Sequence, residues 1–155
     1  TPSSCADFLQ QTAPTDVVGL PEGSWGEGGF HYIWLNDWNR WTWRHIYQSE
    51  DRMCQVARGL TEKSSAQCHR VACQLGRELL LLESSDWQFL ISTWSARDYA
   101  EARVALHSEN FERLYAMFGR LEQDGSTGDA DWKFLEQCEK SDKVFEELEP
   151  SLWLP

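Results

Sequence analysis

The sequence is poor in basic residues and has no long apolar run. Its 155 residues carry 14 Lys and Arg against 25 Asp and Glu, which gives a formal net charge of −11. Nucleic acids and anionic membrane surfaces select basic patches, so we expect neither as a partner. No apolar stretch reaches the roughly 18 residues of a membrane span. The length fits one domain with a core of its own.

The sequence also lacks the features of an exported, disulfide-stabilised or zinc-binding protein. The N-terminus has no basic segment followed by an apolar run, so we expect no signal peptide. The 5 cysteines are odd in number and widely spread, which indicates a reducing compartment. The 4 histidines form no H-x-x-x-H pair, and we predict no metal site and no cofactor. A cytoplasmic location is therefore predicted.

Tryptophan is the residue in excess. The chain has 9, of which 4 fall within ten positions, at Trp34, Trp38, Trp41 and Trp43. Trp is costly to place because its N–H needs a partner and its large area needs cover. Either the core is unusually aromatic, or some of these rings are available to a ligand.

The pattern predicts an all-α fold: a helical bundle of three long helices plus short ones, preceded by a Gly/Trp-rich loop. A short helix over residues 1–12 is followed by a loop over residues 13–35, in which Pro and Gly exclude a regular helix. We call residues 13–35 the strap. Because the strap includes Val17, Val18 and Leu20, we expect it to pack in an ordered way rather than to be a solvated linker.

Five further helices are predicted from caps and apolar periodicity. They begin at Asn36 or Asp37, at Ser64 or Ser65, at Ser85, at Ser95 and near Ala130. Ser85 with Gln88 and Ser95 with Asp98 have capping-box spacing. The predicted core includes two stripes with helical spacing: Cys68, Val71, Ala72, Leu75, Leu79 and Leu82, and then Phe111, Leu114, Phe118 and Leu121. Ile46 and Tyr47 are predicted on the apolar face of the helix that follows the strap, and at least one of Trp38, Trp41 and Trp43 is expected in the core. Also predicted as core are Trp87, Trp94 and Trp132.

No catalytic constellation is visible. The chain has no Gly-x-Ser-x-Gly, and its glycine-rich segment lacks the Lys-Ser/Thr of a phosphate-binding loop. Glu22 and Glu27 flank Trp25 and could act as acid and base on a glycoside. That chemistry needs a rigid scaffold that holds two carboxyl groups opposite each other, and two loop glutamates lack one. A solvated or backbone-capping pair is the favoured interpretation.

The strap tryptophans are the best candidates for ligand binding. An indole face covers the flat C–H face of a sugar, and its N–H can meet a hydroxyl group. Glycines beside Trp25 and Trp34 allow the backbone to approach a ligand closely. The alternative is that both rings only fasten the strap to the helices.

Two segments resemble a known family. They are residues 21–36, PEGSWGEGGFHYIWLN, and residues 76–91, GRELLLLESSDWQFLI; Tyr99 to Arg103, His107 and Phe111 extend the match. The first resembles the segment after the catalytic barrel of family 57 glycoside hydrolases of the 1,4-α-glucan branching enzyme type. The second is similar to the helical C-terminal domain of the same enzymes. The resemblance covers nearly the whole chain.

The resemblance implies a division at residue 35 and a role for the strap. Residues 1–35 would be the linker and strap from the end of the barrel region, and residues 36–155 the C-terminal helical domain. Trp25 and Trp34 would bind substrate near the acceptor side of the cleft, and Gly26, Gly28 and Gly29 would shape the strap. The implied partners are α-1,4-glucan (glycogen, amylose, maltooligosaccharides) and the catalytic barrel of the same polypeptide.

The resemblance also implies a reaction that this chain does not perform alone. The enzyme type transfers a piece of α-1,4-glucan to form an α-1,6 branch with retention, using Glu and Asp residues of a barrel that is absent here. The isolated chain is therefore expected to be inert. Its start at Thr1 favours a partial chain. A stand-alone, non-catalytic module that binds α-glucan or docks on a partner stays open, as does a parent 4-α-glucanotransferase or amylase.

Overall fold

The computed structural model describes residues 2–154. Its α-helices are α1 (Cys5–Gln11), α2 (Arg40–Gly59), α3 (Ala66–Leu82), α4 (Asp86–Thr93), α5 (Arg97–Asp124) and α6 (Asp129–Ser141). Short 3-10 turns occur at Glu27–Gly29, His31–Ile33 and Pro150–Trp153, and no strand occurs between residues 2 and 154. The predicted all-α bundle with three long helices is confirmed. The ends of two predictions, the helix start at Thr1 and the tail at Pro155, lie outside the described residues.

The core lies where α3 packs between α2 and α5. Every residue of the two predicted stripes on α3 and α5 is buried, which confirms both. Each fully buried Leu or Phe stabilises the fold by about 1.5–3 kcal/mol relative to exposure. A second cluster joins α2, α4 and α5 through Ile46, Trp87, Ile91 and Val104, with Trp41 and Trp43 packed against its edge.

Two predicted helix starts are wrong, and one predicted cap does not form. Helix α2 begins at Arg40 rather than at Asn36 or Asp37, because Asn36 and Asn39 close a turn before it. Helix α4 begins at Asp86, directly after Ser85 as predicted, but Ser85 makes no capping hydrogen bond. Helix α5 begins only at Arg97 rather than directly after Ser95. The hydroxyl of Ser95 instead hydrogen-bonds that of Thr93 at 2.8 Å. By contrast, Ser65 caps α3, as predicted.

Two aromatics predicted on apolar helix faces are exposed. Trp94 is 60% exposed because α4 ends at Thr93 and leaves the ring beyond the packed face. Tyr47 is 57% exposed, since α2 turns Ile46 and not its neighbour toward the core. Trp87 is buried as predicted, and Trp132 is partly buried against the main core cluster.

The first half of the strap does not pack on the helices, contrary to prediction. All residues from 2 to 23 are exposed, including Val17, Val18 and Leu20. The helical core offers them no surface, and α1 buries none of its own residues. Only the end of the strap is seen to contact the bundle: the turn at His31–Ile33 packs on α4, and the Trp34 carbonyl is bonded to Trp43 of α2. Among the described residues, no helix combines the length and hydrophobicity needed to cross a membrane.

Candidate functional site

A tight glycine turn forms the second half of the strap. The Ser24 hydroxyl donates to the Phe30 carbonyl and accepts from the Gly26 N–H, and the Ser24 N–H donates to the Gly29 carbonyl at 2.8 Å. Gly28 and Gly29 have φ values of +67° and +77°, a region that glycine adopts without strain. A Cβ atom on Gly26 would lie 2.5 Å from the Phe30 oxygen. The turn therefore depends on its glycines.

This turn brings together the two tryptophans predicted to bind substrate. The ring centroids of Trp25 and Trp34 lie 6.2 Å apart at an interplanar angle of 52°. Trp25 is 85% exposed, and Trp34 is half-buried. The Trp34 carbonyl accepts a hydrogen bond from the Trp43 indole at 2.7 Å, which ties the pair to α2. The result is an aromatic platform on a fixed base.

The hydroxyl of Ser92 anchors the strap to α4. It donates to the Ile33 carbonyl at 2.6 Å and accepts from the side-chain amides of Asn36 and Asn39 at 2.8 and 2.9 Å. Asn39 is fully buried and also donates to the Ile33 carbonyl. Buried polar groups hold a backbone in one place when each has its partner. Sequence periodicity could not reveal this network, because it joins residues more than fifty positions apart.

Three tryptophans use their indole N–H groups within the protein. Those of Trp41, Trp43 and Trp87 each donate to a backbone carbonyl. The other six described tryptophans have no protein acceptor within residues 2–154: Trp25, Trp34, Trp38, Trp94, Trp132 and Trp153. Among them, Trp25 is the most exposed, at 85%. A half-exposed ring with an unused donor suits a ligand that combines an apolar face with hydroxyl groups.

Further exposed aromatics, Tyr32 in the strap and Trp38 and Trp94 beside it, were not predicted as site residues. The ring of Trp38 meets Tyr32 at 6.3 Å and Trp94 at 5.7 Å, edge to face in both cases. All three are at least 40% exposed. The available signal was positional: Trp94 lies at the last residue of its stripe, immediately before a predicted new helix.

Comparison with known proteins decides the family. Residues 45–153 match the family model described as 1,4-alpha-glucan branching enzyme, C-terminal. The chain belongs to this family. It is 46% identical to the 1,4-alpha-glucan branching enzyme TK1436 of Thermococcus kodakarensis over 94% of its own length and 21% of that protein's. A probable 1,4-alpha-glucan branching enzyme of Mycobacterium tuberculosis, MT3115, is 35% identical over 60% of the chain and 19% of its own length.

Solved structures agree with this assignment. The GH57-type branching enzyme of Pyrococcus horikoshii matches 97% of the chain at a TM-score of 0.85 and 37% identity, over 28% of that enzyme. TK1436, solved with glucose and additives, covers 98% of this chain at a TM-score of 0.84 and 38% identity, over 27% of its own chain. The α-amylase AmyC of Thermotoga maritima is less similar. It covers 98% of this chain at a TM-score of 0.71 and 25% identity, over 26% of its own chain. The chain thus spans about a fifth of the length of the curated relatives it matches.

This branching-enzyme C-terminal domain also contains a buried charged cluster that the sequence analysis missed. Glu78, His107 and Asp142 place ligand-type atoms within 4.8 Å of one another. His107 Nε2 accepts from the Arg103 guanidinium at 2.8 Å, so its Nδ1 carries the proton donated to Glu78 at 2.8 Å. Burial, and then the Glu78 carboxylate, raises the pKa of Asp142. Because both imidazole nitrogens are engaged and a guanidinium already supplies positive charge, the geometry favours a structural network over a metal site.

Glu22 and Glu27 lie at the strap surface without the geometry of a catalytic pair. Glu22 approaches His31 at 3.1 Å, with both side chains exposed, and Glu27 begins the 3-10 turn. Both residues are exposed to solvent. The favoured interpretation from the sequence, a solvated pair, agrees with these positions.

Proposed function

We propose that this chain is the strap and helical domain of a retaining 1,4-α-glucan branching enzyme that acts in cytoplasmic glycogen-type synthesis. Trp25 and Trp34 stack on glucose units of the acceptor chain. The observation that carries the proposal is the exposed Trp25–Trp34 pair on a glycine turn, in a chain that belongs to the branching-enzyme family. Gly26, Gly28 and Gly29 maintain the turn that presents the pair.

The exposed N-terminal residues suit a segment that docks outside the helical domain. Val17, Val18 and Leu20 are each more than 70% exposed, which is unusual for consecutive aliphatic side chains of a compact domain. In our proposal, residues 1–35 lie against the catalytic barrel of the same polypeptide, and residues 36–155 form the domain that supports the strap. Docking on the barrel would cover these side chains.

The chemical role of the strap is to position an acceptor sugar. Branching requires that a glucose hydroxyl, rather than water, attacks the glycosyl-enzyme formed in the barrel. Two indole faces that hold the acceptor would raise its effective concentration and displace water from the same volume. Their N–H groups would hydrogen-bond sugar hydroxyls. The carboxylates that form and break glycosidic bonds belong to the barrel in this account.

A chimaera tests the proposal. The C-terminal part of TK1436 that this chain matches is replaced by residues 1–155, and the product is incubated with amylose. We expect new α-1,6 linkages, measured by debranching and chain-length analysis. A TK1436 truncated before the matched part is the control and should form none. A folded chimaera that forms no α-1,6 linkages, or that only shortens α-1,4 chains, would contradict a branching role for this domain.

A further inference from the structure

Trp94 has a backbone conformation that its side chain disfavours. Its φ of +58° places a bulky residue in the left-handed region at the end of α4, where glycine or asparagine is usual. The ring is 60% exposed, so burial of the indole does not offset this strain. Strained residues that the core does not require occur preferentially at ligand sites.

Neighbouring side chains fix the orientation of the Trp94 ring. Trp38 meets it edge-on at 5.7 Å and 88°. The Arg97 guanidinium lies 4.6 Å from the ring centroid, and Arg97 is itself held by Glu101 at 2.7 Å. An aromatic face that is already immobilised loses little entropy when a ligand stacks on it.

An open groove of about 330 Å³ begins at this ring. It is lined by Trp94, Ala96, Arg97, Asp98 and Tyr99. Tyr99 is 58% exposed, and its ring contacts that of Trp87 edge to face at 6.1 Å. The groove therefore offers two aromatic surfaces, one guanidinium and one exposed carboxylate. Hydroxyl groups around an apolar ring face, as in a pyranose, match this combination.

The groove is connected to the strap. Ser92, two residues before Trp94, holds Asn36 and the Ile33 carbonyl, and Trp38 lies between Tyr32 and Trp94. We propose that the Trp94–Tyr99 groove is a second α-glucan-binding site, which takes a stretch of glucan separate from the one on Trp25 and Trp34. The proposal rests on the proposed function for the choice of ligand. It assigns Trp94, Tyr99 and Asp98 as the binding residues.

Binding of maltoheptaose to the 155-residue chain, measured by calorimetry and by retardation in glycogen-containing gels, tests the proposal. Trp94→Gly removes the platform and relieves the backbone strain at once. We expect about tenfold weaker retardation, by analogy with the loss of one stacking residue. The unfolding temperature should change by less than about 4 °C, because strain relief offsets the lost aromatic contact.

Phe145→Gly is a matched control. Phe145 is also an exposed aromatic residue with a positive φ, of +47°, but it lies in the C-terminal segment beside Leu152, outside the groove. This variant should retain wild-type binding. Asp98→Asn is a second test, since it keeps the shape of the groove but removes its carboxylate, and it should weaken binding with the fold unchanged.

The outcomes distinguish this proposal from the proposed function. If Trp94→Gly and Asp98→Asn bind like the unaltered chain while Trp34→Ala is impaired, the second site is wrong and the strap role stands. If the unaltered chain shows no retardation by glycogen, the second site is contradicted, and the chimaera decides the strap role separately. Weaker binding by Trp94→Gly, with Phe145→Gly unaffected, supports the groove as a glucan site.

Discussion

The hydroxyl group of Ser92 donates a 2.6 Å hydrogen bond to the carbonyl oxygen of Ile33, across 59 positions of sequence. Two buried or half-buried asparagine amides, from Asn36 and Asn39, donate to the same hydroxyl. Helix α4 belongs to the second core cluster through Trp87 and Ile91. The aromatic platform of the strap therefore takes its position from the helical core.

Replacing Ser92 by Ala is expected to lower the free energy of unfolding by about 1–3 kcal/mol, because buried amide donors then lose their acceptor. Urea unfolding measures the change. Thr93→Ala is the matched control: its hydroxyl bonds the Phe89 carbonyl at an exposed position, and the loss should be about 0.5 kcal/mol or less. Equal effects of the two substitutions would show that Ser92 does not anchor the strap.

Replacing Gly26 by Ala is expected to distort the strap without unfolding the bundle. The new Cβ would lie 2.5 Å from the Phe30 oxygen, so the turn must open. Maltoheptaose affinity should fall about tenfold, as for loss of one aromatic platform. The unfolding temperature should change no more than it does for an ordinary surface substitution. Gly19→Ala is the control, since its Cβ would meet no atom within 4 Å. An unchanged affinity for Gly26→Ala would contradict the dependence of the platform on the turn.

The raised pKa of the Glu83 carboxyl group makes the stability of the chain depend on pH. Burial, and then the adjacent Glu50 carboxylate with which it shares a hydrogen bond, raises the pKa of Glu83 from 4.5 to about 7. Between these two values the folded chain binds more protons at this site than the unfolded chain, so the contribution of Glu83 to stability falls as pH rises. Glu83→Gln removes this loss, because the amide stays neutral.

The Glu83→Gln variant should therefore exceed the unaltered chain in stability at about pH 8 and match it near pH 4.5. Urea midpoints at the two pH values give the comparison. The exposed Glu147→Gln serves as control for the change in net charge and should show no such difference between the two pH values. If Glu83→Gln raised the urea midpoint equally at the two pH values, titration of Glu83 would be ruled out as the cause.

The regular parts of this fold were predictable and the junctions were not. The stripe from Cys68 to Leu82 has helical spacing and faces the core along its whole length, so pattern and structure agree. Trp94 continues a stripe in the same way, but the chain leaves the helix at that residue and the ring reaches solvent. Periodicity indicates which face of a helix is apolar. It does not indicate the residue at which the helix ends and that face is no longer buried by neighbouring helices.

The candidate site was predictable in its residues but not in its support. Trp25 and Trp34 stood out as tryptophans among glycines, and the structure brings their rings within 6.2 Å. Ser92, which positions them, is an ordinary serine at the end of a helix in the sequence. Its role follows from tertiary contacts, as does that of Glu78, whose burial no hydropathy pattern indicates.

The most direct test of the central claim is Trp34→Ala in the chimaera with TK1436, with branching rate and unfolding temperature measured on the same preparation. Formation of α-1,6 linkages should fall by on the order of tenfold, because an acceptor sugar loses one stacking surface. The unfolding temperature should stay within about 3 °C, since Trp34 is only half-buried. Retention of full branching activity, or a loss that only parallels unfolding, would contradict a glucan-binding role for the strap.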